Sequence, residues 1–214
     1  MNERFVWFAL FFLGCYHGIN PGMGWLFAVA LGFQERRTAA VLRAIPPLAL
    51  GHIGSVAIVV LLATSAAFVL PNRAVHFFAG AVLICFGIYR LVRTRHVRWV
   101  GMRVGFWGLI LWGFLMSTAH GAGLMLLPFV IAGEGARHAP MVMPMPGATS
   151  LAHRYLTGWL MVAVHTFGYL ATLTAVAWVV YAKVGVRFLR SGWLNVDLFW
   201  AIALIVTGIV ALIS

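Results

Sequence analysis

Long apolar stretches recur along the whole sequence, and they constrain the fold more than any other feature. A bilayer core of roughly 30 Å asks for about 20 mostly apolar residues in helical form. Six segments answer to that: 5–33, 44–70, 74–92, 104–133, 155–182 and 196–213. Backbone groups in lipid have no water to bond, so each segment reads as a helix. The chain is 63% hydrophobic and 9% charged, with a mean hydropathy of +0.99. Soluble domains sit near about 45–50% apolar and about 25% charged. The expectation is an all-α polytopic membrane protein with six transmembrane helices. A secreted disulfide scaffold, a disordered chain and an ordinary soluble enzyme are excluded. Cys15 and Cys85 both lie in apolar segments, so no disulfide framework is implied.

The net charge is +11. In a soluble chain that would suggest nucleic acid, but here the basic residues flank the apolar runs, which marks topology instead. Arg4, Arg73, Arg137 and Arg154 fall before the first segment and in the second and fourth loops. The other eleven fall in the first, third and fifth: Arg36, Arg37, Arg43, Arg90, Arg93, Arg95, Arg98, Arg103, Lys183, Arg187 and Arg190. Eleven against four puts those three loops in the cytoplasm and both termini outside. The start also resembles a signal peptide, with a loose lipobox at Phe12-Leu-Gly-Cys15. Glu3 offsets Arg4 there, and the reading is an uncleaved first helix.

The two halves resemble each other. His17-Gly18 lines up with His120-Gly121, and His52 lines up with His165. Residues 75–88 and 196–209 share six of fourteen positions without a gap. Three spans per half is an odd number, so the second half enters the membrane inverted. The expected organisation is a first three-helix repeat over 1–95 and a second over 96–214, forming one integral membrane domain. Inverted repeats of this kind build transporters, with the site near the midplane where the repeats meet.

Chemistry concentrates at the matched positions. His17, His52, His120 and His165 all fall well inside their spans, where an ionisable residue is a functional hypothesis by default. Neutral imidazole is also a common ligand for transition metals. The competing reading is that each histidine only hydrogen-bonds between helices. Span 1 carries Gly18-Ile-Asn20-Pro21-Gly22-Met23-Gly24, and span 4 carries Gly121-Ala-Gly123. Pro21 removes a backbone donor and Gly22 lets the chain turn, so both spans are candidates for tilts, kinks or breaks. Gly18, Pro21, Gly22 and Gly121 are the hinge candidates. If the helix continued, His17, Asn20 and Met23 would share one face.

The run Leu13-Gly-Cys-Tyr-His17-Gly-Ile-Asn20-Pro21-Gly22-Met23, followed by Gly51-His52-Ile-Gly-Ser, resembles the nickel/cobalt exporters of the NicO family. That family has a His-Gly-x-Glu-Pro-Gly-His element and then a Ser/Gly-His element opening the next apolar stretch. The wider LysE-like transporter superfamily is built from two inverted three-helix repeats. The likeness covers mainly the first seventy residues. It implies that His17 and His52 are metal ligands, with Asn20 at the family's acid and Met23 at its second histidine. An amide and a thioether in those places make the site softer and shift preference toward Cu(I). The expected location is a bacterial inner (plasma) membrane.

On the expected outside, His138, Met141, Met143 and Met145 lie in a Pro-rich loop, where alternate thioethers can face one side and collect a soft cation. Acidic residues are few: Glu3, Glu35, Glu134 and Asp197. Their scarcity argues against Ca²⁺, Mg²⁺ and Mn²⁺ as substrates. No hydrolase set, phosphate loop or ATPase motif is present. The leading expectation is a secondary transporter of Ni, Co, Cu or Zn around a histidine cluster, with the bilayer and a small cation as partners and no nucleic acid. The alternatives are a membrane redox or haem-binding protein and a non-catalytic membrane subunit. Assembly as a homo-oligomer or within a membrane complex stays open.

Overall fold

A computed structural model describes residues 3–69, 72–92, 104–130, 148–184 and 196–213. Among these residues the fold is all-helical and has no strands. The helices are α1 (Glu3–Ile19), α2 (Trp25–Glu35), α3 (Thr38–Val69), α4 (Asn72–Val92), α5 (Phe106–Ala119), α6 (Leu124–Val130), α7 (Ala148–Val179) and α8 (Val196–Ile213). Two helical segments, Thr38–Ala66 and His153–Val184, are long and apolar enough to cross a membrane. They become three if the bent pair α5–α6 is one span. Arg4–Ile19 and His76–Tyr89 are shorter apolar helices. Large side chains such as Phe5, Phe8, Phe12, Leu62, Trp107 and Phe167 face outward, as an apolar solvent permits.

The helix starting at Thr38 begins before the apolar run at residue 44 and carries Pro46 and Pro47 without ending. Both prolines sit in its early turns. The donors they lack would have bonded the carbonyls of Leu42 and Arg43, close to the helix start. At the same end of the bundle, α7 runs into a π-turn at Val180–Val184, whose Tyr181 packs on Phe33.

Three pairings dominate the packing: α1 with α7, α3 with α5, and α4 with α8. Their directions follow from contacts taken in order. Gly14 abuts the His165 carbonyl and Gly18 abuts Tyr169 and Leu173, so α1 and α7 are parallel. Gly51 abuts Ile110 and Phe114, and Gly123 abuts Val59, so α3 and α5 are parallel. Gly80 faces Gly208 while Gly87 faces Ala201, so α4 and α8 are antiparallel. His52 lies by His165, and Ser65 bonds Tyr155, so α3 and α7 are antiparallel. The glycines make these approaches possible. A Cβ on Gly14, Gly51 or Gly168 would collide with the backbone of the facing helix.

Two buried clusters lie on either side of the histidines. One joins Leu10, Val56, Val60, Leu126 and Val162. The other joins Met23, Trp25, Leu48, Tyr169 and Leu173.

Candidate functional site

The first helix stops at Ile19, where Asn20 takes extended backbone angles and Pro21–Met23 form one 3-10 turn. The Asn20 side-chain oxygen accepts from the Gly22 N–H at 2.9 Å. Gly24 then takes φ +116, a conformation that favours glycine, and α2 begins. Three aromatic donors hold this break. Trp25 donates to the Ile19 carbonyl at 2.9 Å, Trp112 to the Gly22 carbonyl at 2.9 Å, and Tyr169 to the Met23 carbonyl at 3.0 Å. Buried carbonyls released from a helix need partners of this kind.

The matching place in the other half is also broken. α5 ends at Ala119, Gly121 takes φ +70, and α6 leaves at 48° to α5. Here the bonds are local: Gly121 to the Thr118 carbonyl, Ala122 to Ser117, and Met125 to Gly121. His120 turns its Nδ1–H back onto the Met116 carbonyl at 2.8 Å.

The four histidines gather between the breaks, all buried at 4% exposure or less. The ring centres of His17, His52 and His165 are 5.6 Å (17–52), 5.7 Å (17–165) and 5.5 Å (52–165) apart. His120 lies within electrostatic reach of His17. A Cβ on Gly22 would sit 3.4 Å from the His120 ring. His52 Nδ1 and Ser117 Oγ share a hydrogen bond of 2.8 Å, while His52 Nε2 has no hydrogen-bond partner. His165 faces the Leu10 backbone carbonyl, but neither ring nitrogen makes a hydrogen bond of normal geometry. Asn20 Nδ2 and Thr166 Oγ1 are likewise buried without a partner.

Among the described residues, no group of three or more His, Cys, Asp or Glu is arranged to hold a metal ion. The ring planes show what ligation by the closest pair would require. His52 and His165 are 17° from parallel and stacked. Imidazole lone pairs lie in the ring plane, so two stacked rings do not aim at one point about 2.0–2.1 Å from each nitrogen. Ligation by both asks that one ring turn. His52 is held by Ser117 and by the face of Tyr169 at 4.0 Å.

Asn20 and Met23 have structural work at their positions. Asn20 caps the 3-10 turn, and Met23 is fully buried in the apolar cluster with Trp25, Leu48 and Leu173. Gly18 packs tightly on α7, while Pro21 and Gly22 form the turn itself. His138, Met141, Met143 and Met145 lie outside the described residues, as does the boundary at residue 95. Sequence reasoning missed Tyr169, Trp112 and Ser117. Each is an ordinary residue for an apolar helix, and its partner lies far along the chain. No family model, no curated protein and no solved structure matches this chain.

Proposed function

We propose that this chain is a secondary membrane transporter for a transition-metal cation, with the histidines between the two helix breaks as the site the substrate visits. The observation that carries the reading is the meeting of histidines from both halves at two broken helices. Discontinuous helices facing each other at the centre of a repeat are a recurrent way to build a substrate site inside a membrane. Imidazole suits Ni²⁺, Co²⁺, Zn²⁺ and copper, and the unbonded Nε2 of His52 is a donor atom in need of a partner.

The helix directions support six alternating spans in two inverted repeats. Joining α1–α2 and α5–α6 as single broken spans makes spans 1 and 5 parallel, 2 and 4 parallel, and 3 and 6 antiparallel. The α4–α8 crossing is its own counterpart. The sequence match pairs Gly87 with Gly208 and Gly80 with Ala201. In space, Gly87 meets the Ala201 carbonyl as Gly208 meets that of Gly80. With the basic loops inside, both termini lie outside a bacterial plasma membrane.

The test is flux of Ni²⁺, Co²⁺, Zn²⁺ and Cu⁺, one at a time, into proteoliposomes. The expected outcome is flux of at least one metal in the native protein and its loss in the double variant His17→Ala/His52→Ala. Flux of none of the four overturns the reading.

A second reading has its own observation: His52 bonds Ser117 and His120 bonds the Met116 carbonyl, as helix-joining groups would. His52→Gln separates the two. Glutamine also hydrogen-bonds between helices, so retained flux in that variant assigns His52 to packing.

A further inference from the structure

Tyr169 belongs to no sequence motif, yet it touches three parts of the centre at once. Its ring lies 4.0 Å from that of His52, with the planes 14° apart. Its hydroxyl donates to the Met23 carbonyl at 3.0 Å, inside the break of the first span. Its backbone presses on α1 where Gly14 and Gly18 leave no space for a side chain. Tyr169 is fully buried, and a buried phenol needs a partner for its hydroxyl. Here the partner is a carbonyl set free by a broken helix, 146 residues away.

We infer that Tyr169 is a positioning residue: its ring sets the orientation of His52 and its hydroxyl sets the break at Met23, so that the two change together. His52 is pinned on one side by Ser117 and covered on its face by Tyr169. A turn of the His52 ring toward a substrate therefore displaces the phenol. A tyrosine side chain is rigid beyond its two torsions, so moving the ring moves the hydroxyl off the Met23 carbonyl. The link is one-sided. Lining His52 up with His165 sets Val56 opposite Tyr169, and valine has no hydroxyl with which to clamp the second break. The transport consequence rests on the histidine centre being the substrate site, whereas the mechanical link between His52 and the break does not.

The experiment is hydrogen–deuterium exchange on the full chain in lipid nanodiscs, comparing native protein with Tyr169→Phe, which keeps the ring and drops the hydroxyl. Losing one hydrogen bond is expected to speed exchange of the amides of Asn20 and residues 22–26 about five-fold, with amides 120–126 unchanged. Unaltered exchange at 20 and 22–26 overturns the inference, and so does an equal rise at both breaks, which marks general loosening. Flux of the four metals gives the second readout. Tyr169→Phe is expected to change turnover and leave the half-saturating metal concentration alone. Tyr169→Leu, which also removes the stack on His52, is expected to raise it. A role confined to packing would lower the amount of folded protein and move neither constant. If native protein carries none of the metals while exchange behaves as expected, the transport reading falls and the coupling stands.

Discussion

The two helix breaks occupy matching places in the sequence and both keep backbone bonds of their own, but they differ in what else holds them. The first is tied from outside its own turn: Trp25, Trp112 and Tyr169 each give a ring or phenol donor to one of its carbonyls, and Asn20 caps it. The second is held by its own backbone bonds and by His120 folding back onto the preceding turn. Donors from α5 and α7 make the shape of the first break depend on the whole bundle. The second is tied to α3 at the turn before it, where Ser117 bonds His52 and Thr118 bonds Ser55, and Gly123 abuts Val59, but the bonds to its own carbonyls are local. On the proposed transport reading the bundle rearranges about its centre; the break whose carbonyls are bonded locally then changes at least cost, and that reading makes the second break the hinge and the first the anchor.

The strongest test of that contrast uses glycines beside each break. A Cβ added at Gly18 would lie 2.5 Å from the Tyr169 carbonyl oxygen and 2.9 Å from the Leu173 nitrogen, so Gly18→Ala must part α1 from α7. Backbone cannot yield as a flexible side chain does, and a cost of about 3 kcal/mol is expected. At Gly121 the added Cβ would meet the Phe86 ring at 3.1 Å, which can shift, and φ +70 adds about 1–2 kcal/mol of left-handed strain. Thermal unfolding in detergent is expected to rank Gly18→Ala well below Gly121→Ala. The reverse order breaks the assignment of anchor and hinge.

A middling effect is expected at Trp112, whose indole N–H crosses from α5 to the Gly22 carbonyl, 90 residues away. Trp112→Phe keeps much of the ring packing against Phe27, now 4.7 Å between centres, and leaves the carbonyl unmatched. Loss of about 1–3 kcal/mol in unfolding free energy is expected. A fall confined to stability, with the amides of residues 20 and 22–26 still protected, would show that the break keeps its shape without Trp112.

The places of the two breaks are legible in the sequence, though the way each is held is not. The Gly/Pro clusters at 18–24 and 121–123 announced that the backbone there would not run as plain helix, because glycine and proline act on the backbone of their own turn. The four histidines stood out because polar residues are rare in this chain and these recur at matched positions. The clamps were not legible. Trp25, Trp112 and Tyr169 look like ordinary apolar residues in their helices, and their role arises only when the bundle brings a donor to a particular carbonyl. Met23 shows the converse. Its spacing from His17 and Asn20 suggested a shared face, but the helix ends at Ile19 and the side chain lies in an apolar cluster. Likewise, proximity of the histidines is suggested by the repeat, whereas the orientation of the His52 ring depends on Ser117 and Tyr169.

The smallest expected effect lies at the far end of α2, beyond the apolar segment, where the anchored half-helix meets the turn into α3. Glu35 accepts from Arg37 through Nε at 2.9 Å and pairs with Arg43. Its carboxyl is held below the ordinary value of 4.5, chiefly by the Arg37 hydrogen bond, with the charges of Arg43 and Arg37 adding and partial desolvation pulling the other way. A folded-state value lowered in this way stabilises the fold above the unfolded value, and the contribution fades as pH falls through the folded one. The pair is exposed, so screening keeps its contribution small. Native protein is expected to melt slightly above Glu35→Gln at pH 7, with the gap closing toward pH 3. A gap that persists in acid would show that Glu35 acts through packing. No gap at pH 7 would leave the aromatic donors as what fixes α2, and would place the anchor wholly at the break.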